Sequence, residues 1–270
     1  MRFAVLLALA VTTFASPSPV DEWKLVWADE FDRDGRPDPA RWTYETGFVR
    51  NRELQWYQPE NARCENGMLI IEARRERKQN PSYAAGSSRW QTSREFAEYT
   101  SSSLTTKGLA SWRYGRFEMR GRIDTRAGLW PAFWSLGVDG GWPANGEIDI
   151  MEYYRGTLLA NLIWAGKDGT ASFTRRWPID GFNDPDWSRK FHVWRMDWDE
   201  HRIVITVDGK VVNDSDLDLT ANPDGRNGFR QVHSILVNLA IGGNAGGDPS
   251  GTEFPARLEV DYVRVYQKQN

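Results

Sequence analysis

Short runs of β-branched and aromatic residues recur along this chain, and they limit its fold more than any other feature. They include MLIIEAR, GRFEMRGRI, FHVWRMDW, RIVITVDGKVV, SILVNLAIGG and LEVDYVRVYQ. Asp208-Gly209 lies between two such runs, as a tight hairpin turn requires, and few stretches show helical periodicity. Because Gly, Pro, Asn and Asp separate the runs, the pattern predicts an all-β fold of two stacked antiparallel sheets.

The organisation along the chain indicates one domain. No internal repeat or linker-like change of composition occurs between Asp21 and Gln267, so a single domain is predicted over residues 23–268. The polar segment 77–103 is predicted to be a long surface loop. The glycine-rich segment 242–255 lacks the Lys-Ser/Thr of a phosphate-binding loop, and is therefore also interpreted as a loop.

The first fifteen residues are typical of a secretory signal peptide. Arg2 precedes an apolar run, residues 3–11, which is too short to span a bilayer, and small residues stand at Thr13 and Ala15. We expect a signal peptide over residues 1–15 and a short linker over 16–22. This predicts a secreted or periplasmic protein without a membrane span.

The composition excludes several classes of partner and site. A net charge of -3 over 270 residues gives no basic excess for nucleic acid. Three His and one Cys argue against a His/Cys metal centre, and Cys64 alone cannot form an internal disulfide. The chain has 14 Trp, so we expect some of them on a surface where flat aromatic faces are useful. A monomer is expected.

The stretch NGEIDIMEYY, residues 145–154, places Glu147, Asp149 and Glu152 in a run that otherwise resembles a buried strand. Side chains of a strand alternate between its faces, so Glu152 is out of phase with the other two acids. A β-bulge near Ile150-Met151, with Met151 as the extra residue, restores the phase. All three acids then line one face.

The spacing of the outer two acids indicates a chemistry. With the bulge, Glu147 and Glu152 are about four strand steps apart, roughly 13 Å between Cα atoms. If each side chain leans inward by roughly 4 Å, about 5 Å separates the carboxyl groups. This gap suits a retaining glycosidase and is too short for an inverting one. The acids alone leave open a solvent-facing row, a Ca²⁺ site or partners for arginines.

Aromatic residues close to the acids favour a carbohydrate cleft. GLWPAFWSLG and GGWPANGE lie directly upstream and supply Trp130, Phe133, Trp134 and Trp142. Sugar rings stack their apolar faces on aromatic planes, while carboxylates and amides bond their hydroxyl groups.

The chain resembles glycoside hydrolase family 16 over nearly all of the predicted mature segment. GEIDIMEY is similar to the family signature in its bulged form, Glu-x-Asp-x-x-Glu. Similar segments are LVWADEFD, NRELQWYQPENARCENGMLIIEARRE, YTSSSLTTKG, YGRFEMRGRI, GLWPAFWSLG, NLAIGG and VDYVRVYQ. The resemblance implies a concanavalin-like β-jelly-roll with a cleft across its concave sheet. It also implies endo-acting, retaining hydrolysis of a β-linked polysaccharide without a catalytic cofactor.

The resemblance also implies a role for each acid. Glu147 matches the nucleophile, Glu152 the general acid/base, and Asp149 a residue hydrogen-bonded to the nucleophile. Glu152 must hold a proton for the leaving oxygen, so burial and the two neighbouring acids are expected to raise its pKa.

Further positions are matched to substrate and metal contacts. Trp130 and Trp134 match residues that stack on sugars at the negative subsites, with Asn51 and Asn238 as hydroxyl partners. For Asn238, a buried amide satisfied by the backbone is an equal alternative. The family also implies a structural Ca²⁺ on the convex side, for which the matching positions are Glu30, the carbonyl of Gly67, and Asp261.

One segment departs from the laminarinase pattern and leaves the substrate open. In LLANLIWAG, Ala160 and Trp164 stand where histidines would often lie, so Trp164 either caps a subsite or fills the core. We expect β-1,3- or β-1,3(1,4)-glucan as substrate, with a galactose-containing chain, agar-like or a host O-glycan, as the alternative. Transglycosylation and a non-catalytic carbohydrate-binding module are further alternatives.

Overall fold

Short antiparallel strands make up most of the fold. The computed structural model describes residues 23–269, so the predicted signal peptide and the whole of the predicted linker lie outside the described residues. The strands are β1 Trp23–Asp29, β2 Thr43–Tyr44, β3 Gln55–Tyr57, β4 Ala62–Glu65, β5 Met68–Ala73, β6 Lys78–Gln79, β7 Phe96–Ala97, β8 Tyr99–Ser101, β9 Ser103–Thr105, β10 Gly115–Ile123, β11 Leu129–Gly137, β12 Glu147–Tyr154, β13 Thr157–Gly166, β14 Gly169–Pro178, β15 His192–Trp198, β16 Arg202–Val207, β17 Lys210–Asp216, β18 His233–Ile241 and β19 Ala256–Lys268. Two one-turn α-helices are α1 Trp90–Ser93 and α2 Gly243–Gly246, and 3-10 turns cover Pro59–Asn61, Ile179–Phe182, Trp187–Arg189, Leu217–Leu219 and Gly228–Arg230.

Two antiparallel sheets stack on each other, which confirms the predicted fold class. One sheet has eight strands in the order β17-β16-β15-β10-β19-β5-β4, with β1 also paired to β19. The other has seven strands in the order β14-β13-β12-β11-β18-β9-β2. The predicted hairpin joins β16 to β17, and both Asp208 and Gly209 have the positive φ that such a turn requires.

The hydrophobic core lies between the two sheets. In β10, Phe117 and Met119 are buried in this core, while the arginine and glutamate side chains that alternate with them are only partly buried. β18 is buried along its whole length. Alternate residues of β18, such as Val237, enter the core, whereas Asn238 points to the opposite face of the seven-stranded sheet. Burial of each large apolar side chain stabilises the fold by about 1.5–3 kcal/mol.

The prediction of one long loop over 77–103 is wrong. The segment contains β6, α1, β7 and β8 and enters β9. Asn80 fixes its course, because the side-chain amide nitrogen donates to the carbonyls of Gln91 and Arg94, at 2.8 Å each. Trp90 packs against the cluster of Phe48 and Trp56. The polar composition of this segment therefore gave no sign of the short paired strands that it forms.

Within residues 23–269, no helix is long and apolar enough to cross a membrane.

Candidate active site

A β-bulge in β12 brings the three acids to one face of the seven-stranded sheet. Asp149 lies opposite Asn161 of β13, and Glu152 lies opposite Leu159. Three residue steps on β12 therefore face two on β13, and the register shifts between these pairs. The bulge predicted from the sequence is confirmed.

The extra residue of the bulge is Ile150 on the side of β11, and the prediction of Met151 is wrong in this respect. Met151 pairs with Phe133 and Asp149 pairs with the next residue of β11, so Ile150 has no counterpart there. Ile150 and Met151 are each 1% exposed and both belong to the core. Two consecutive apolar side chains can enter the core only where the strand alternation is interrupted.

The bulge also sets the spacing of the outer two acids. Glu147 lies opposite Leu136 of β11, and Glu152 lies opposite Ala132, so the acids are four positions apart on the partner strand. Four steps correspond to about 13 Å between the Cα atoms. This is the backbone spacing that the sequence predicted for a retaining pair.

A cleft of about 360 Å³ opens above these acids, on the face of the seven-stranded sheet that points away from the core. Its floor comes from β11, β12 and β18. One wall comes from the loop that carries Arg50, Asn51 and Glu53, and another from the loop that carries Trp142. The cleft therefore combines carboxyl groups, amides and indole rings.

Glu147 is held by groups that favour its ionised form. The indole nitrogen of Trp142 donates to Oε2 of Glu147 at 2.7 Å. Burial raises the pKa of Glu147, while the hydrogen bond from Trp142, the charge of Arg50 and a hydrogen bond shared with Asp149 act in the opposite direction. These groups keep the carboxylate available as a nucleophile.

Asp149 is the most deeply buried of the three acids. Burial raises its pKa well above the ordinary range, and the negative charges of Glu147 and Glu152 raise it further. These effects favour the protonated form of Asp149, which shares a hydrogen bond with Glu147. The side-chain nitrogen of Asn161 donates to Oδ2 of Asp149 at 2.8 Å.

Glu152 has the properties of a general acid. Burial raises the pKa of Glu152 to about 7; the hydrogen bond from Trp130 opposes the rise, and the charge of Glu147 adds to it. The direction agrees with the prediction, with Glu147 as the neighbouring acid that contributes to it. Trp130 Nε1 donates to Oε1 at 2.8 Å, and Asn161 Nδ2 donates to Oε2 at 2.8 Å. A carboxyl group that titrates near neutral pH can both give and take a proton.

The two tryptophans predicted to stack on sugars both line the cleft, but their rings are largely enclosed. Trp134 Nε1 donates to Oδ1 of Asn238 at 2.7 Å, and the guanidinium of Arg50 lies 4.9 Å from the centre of the Trp134 ring. Trp130 meets the ring of Tyr154 edge-on, with 5.6 Å between the ring centres. The indoles are thus fixed in position before any substrate binds.

The two predicted amides differ in how many hydrogen bonds to the protein they already make. Asn51 lines the cleft, and its side chain makes one long hydrogen bond, of 3.4 Å to Glu53, among the described residues. Asn238 also lines the cleft, but it accepts from Trp134 and donates to the hydroxyl of Tyr57 at 3.0 Å. Side chains rather than the backbone therefore satisfy Asn238, and its clearest role is to hold Trp134.

Trp164 is not in the cleft, which corrects its prediction as a substrate-binding residue. It is 6% exposed, belongs to the core and packs edge-on against Phe173 and Phe229. Strand alternation explains the error, because the residues of β13 on the cleft face are Leu159, Asn161 and Ile163, each opposite an acid of β12.

Sequence reasoning missed three polar residues of the site: Arg50 and Glu53, which line the cleft, and Asn161, which binds two of the acids. A signal existed for Asn161, since it is the one polar residue in the apolar run LLANLIW, and a buried amide needs partners. Arg50 also forms an ion pair with Glu45. No local pattern distinguishes this arginine from the many others in the chain.

The residues predicted to hold calcium are already paired. Both carboxylate oxygens of Glu30 accept from Arg264 at 2.8 Å, and Asp261 accepts from Arg120 at 2.6 Å. Across residues 23–269, no group of three or more His, Cys, Asp or Glu side chains is placed to hold a metal ion. Each of the two predicted carboxylate ligands is thus paired with an arginine.

Comparisons with known proteins agree with this geometry. The family model described as Glycosyl hydrolases family 16 matches residues 56–264. A beta-glucanase of Rhodothermus marinus is 38% identical over 264 residues, which cover 91% of this chain and 85% of the relative. The solved catalytic domain of an endo-1,3-beta-glucanase (laminarinase) from Thermotoga petrophila RKU-1 is 33% identical with a TM-score of 0.76, and the match covers 93% of this chain and 100% of that one.

Another similar structure comes from work on endo-acting O-glycanases that prominent members of the human gut microbiota express to initiate mucin breakdown. It is 34% identical, with a TM-score of 0.84, and the match covers 92% of both chains. The two-sheet architecture is the jelly-roll of these structures.

Proposed function

The chain belongs to glycoside hydrolase family 16, and we propose that this retaining endo-β-glycanase cleaves β-1,3- or mixed β-1,3(1,4)-linked glucan. The observation that carries the proposal is the pair of unlike carboxyl groups, Glu147 and Glu152, in a cleft lined by indoles. The glucanase names of the Rhodothermus and Thermotoga relatives support the choice of glucan. Family 16 hydrolases need no cofactor for catalysis.

In the first proposed step, the carboxylate of Glu147 attacks the anomeric carbon while the bond from that carbon to the leaving oxygen breaks. Glu152 gives its proton to the leaving oxygen as the bond breaks, so the departing sugar leaves as an alcohol. The product is a covalent ester between the sugar and Glu147. Glu152 is then a carboxylate, held by the N–H groups of Trp130 and Asn161.

In the second proposed step, the roles reverse. Glu152 takes a proton from a water molecule, and the water oxygen attacks the anomeric carbon from the side that the leaving group occupied. The ester bond breaks and returns Glu147 as a carboxylate. Two inversions at the same carbon give net retention of the β-configuration.

Trp142 is proposed to join Trp130 and Trp134 in contacting sugar rings. Its side chain is 57% exposed, in contrast to the enclosed rings of the other two. Because its indole nitrogen binds Glu147, the ring is fixed beside the reacting carbon. A flat apolar face at this place suits the C–H face of a pyranose.

A galactose-containing chain is the second candidate substrate. The specific observation that favours it is the similarity to the O-glycanase structure, whose TM-score of 0.84 exceeds the 0.76 of the laminarinase domain. The fold alone does not decide between the two sugars, because cleft side chains set the substrate.

A substrate panel tests the proposed function. We expect the purified protein to release oligosaccharides of several lengths from laminarin and from barley mixed-linkage glucan, with little release from agarose or mucin O-glycans. Product sizing by chromatography distinguishes endo-cleavage from release of single sugars. Cleavage confined to mucin glycans or agarose would replace glucan by the second candidate. Binding of these glycans without any cleavage would contradict enzymatic function.

Export and a monomeric state are proposed as well. Export rests on the features of residues 1–15. The proposed mechanism needs no second copy of the chain, because Glu147 and Glu152 lie on the same strand. Calcium at Glu30, Gly67 and Asp261 stays a prediction, and the arginine partners of both carboxylates argue against it.

A further inference from the structure

Asn161 contacts two of the three acids at once. Its side-chain nitrogen lies 2.8 Å from Oδ2 of Asp149 and 2.8 Å from Oε2 of Glu152. An amide nitrogen has two hydrogens, so each acid receives one of them. Asn161 is 4% exposed, and the register of β13 fixes it opposite Asp149.

The carbonyl oxygen of the same side chain has no hydrogen-bond partner among the described residues, although it is buried. A buried amide normally satisfies both of its ends, because an unpaired polar atom costs free energy. Asn161 gives both hydrogens to acids of the cleft and leaves its oxygen unpaired. This arrangement serves the acids rather than the stability of the sheet.

Glu152 is held from two sides, and Asn161 supplies one of them. Trp130 binds Oε1 and Asn161 binds Oε2, so the plane of the carboxyl group is fixed. The flanking residues of β13 on the same face, Leu159 and Ile163, carry no hydrogen-bonding group. Among the described residues of β13, Asn161 is therefore the one that donates a hydrogen bond to Glu152.

We propose that Asn161 is a positioning residue for Glu152, which it aims at the leaving oxygen and supports as a carboxylate after the proton has been given up. The proposal rests on the proposed function, since it requires Glu152 to act as the general acid/base. Through Asp149, which shares a hydrogen bond with Glu147, the same amide also links the positions of the two reacting acids.

The charged groups around Glu152 determine how its pKa changes when the Asn161 amide is removed. Glu147, Asp149 and Tyr154 face Glu152 from its own strand, and Arg176 faces it from β14. The neighbouring strands β11 and β18 present no titratable side chain to the cleft, while Arg50 and Glu53 lie in its wall. Loss of the Asn161 donor leaves these charges in place and removes one group that favours ionised Glu152, so the pKa of Glu152 must rise.

The test replaces Asn161 by leucine, which has a similar size and no donor. We expect kcat/KM on the wild-type glucan substrate to fall about 10- to 100-fold, the effect of a displaced catalytic group. We also expect the alkaline limb of the pH profile of kcat/KM to move above the wild-type position. A purely structural role does not move this limb. Asn161→Ala, which also lacks a donor, provides the same readout if the leucine variant does not fold.

Thr174→Val is the matched control, because Thr174 is the cross-strand partner of Asn161 on β14 and has no hydrogen bond to an acid of the cleft. In the Thr174→Val variant, the alkaline limb of the pH profile of kcat/KM should stay at the wild-type position. A folded Asn161→Leu enzyme with an unmoved limb and kcat/KM within about threefold of wild type overturns the proposal, because displacing a catalytic group costs far more. Persistence of the limb in Glu152→Gln would instead remove the acid/base assignment, and with it the proposed mechanism.

Discussion

Replacing Glu147 by glutamine is expected to abolish turnover of glucan while substrate binding survives. An amide cannot attack the anomeric carbon, so kcat should fall by at least about 10⁴-fold, as for the loss of other catalytic nucleophiles. The amide oxygen of glutamine can still accept the hydrogen bond that Trp142 donates to Glu147. The indole therefore keeps its place, and calorimetry should give a Kd close to the KM of the wild-type enzyme.

Glu118→Gln is the control for this variant. Glu118 lies in β10 of the other sheet and accepts a hydrogen bond of 2.9 Å from the hydroxyl of Tyr262, far from the cleft in the fold. The same chemical change there should leave kcat unaltered. If Glu147→Gln kept more than a few per cent of wild-type kcat, Glu147 would not be the nucleophile.

Replacing Glu152 by alanine is expected to separate natural from activated substrates. General acid catalysis contributes about 10²- to 10⁴-fold, so kcat/KM on glucan should fall by that amount. Aryl glycosides with acidic leaving groups need little protonation and should still form the glycosyl–enzyme at nearly the wild-type rate. Added azide should then accelerate turnover and yield a β-glycosyl azide, because an anion needs no general base. An equal loss of kcat/KM on both substrate types would mean that Glu152 has another role.

The pH dependence follows from the same two acids. Glu152 must be protonated at the start of the reaction, and its pKa is raised to about 7, so kcat/KM should fall as the pH rises through about 7. Glu147 must be ionised, and burial raises its pKa, so activity should also fall in acid, at a pH above the ordinary value of 4.5. With an activated aryl glycoside, Glu152→Ala should lose the alkaline limb near pH 7.

The bulge and the face of the three acids could be predicted because strand alternation is a local rule. Three carboxylates with one out of phase, between apolar residues, leave few solutions other than an inserted residue. Which residue is extra could not be predicted, because Ile150 and Met151 are both apolar and the pairing with β11 decides between them. The tryptophans of β11 were predicted from the family resemblance, and strand alternation places Trp130 and Trp134 on the same face.

The rest of the site depends on contacts between segments distant in sequence. Asn161 meets Glu152 only because β13 returns antiparallel to β12 in one particular register. The expectation for Trp164 shows how sensitive this is, because a shift of one residue exchanges the cleft face of a strand for its core face. Arg50 reaches the cleft from a loop, where no periodicity applies.

The central claim is a double displacement through Glu147, and the configuration of the first product tests it most directly. Proton NMR recorded in the first minutes of laminarin hydrolysis, before mutarotation equilibrates the anomers, reports the configuration of each new reducing end. The account predicts the β-anomer in excess at early times, with the α-anomer rising only later. An α-anomer that appears first would show a single displacement by water and would contradict the covalent mechanism.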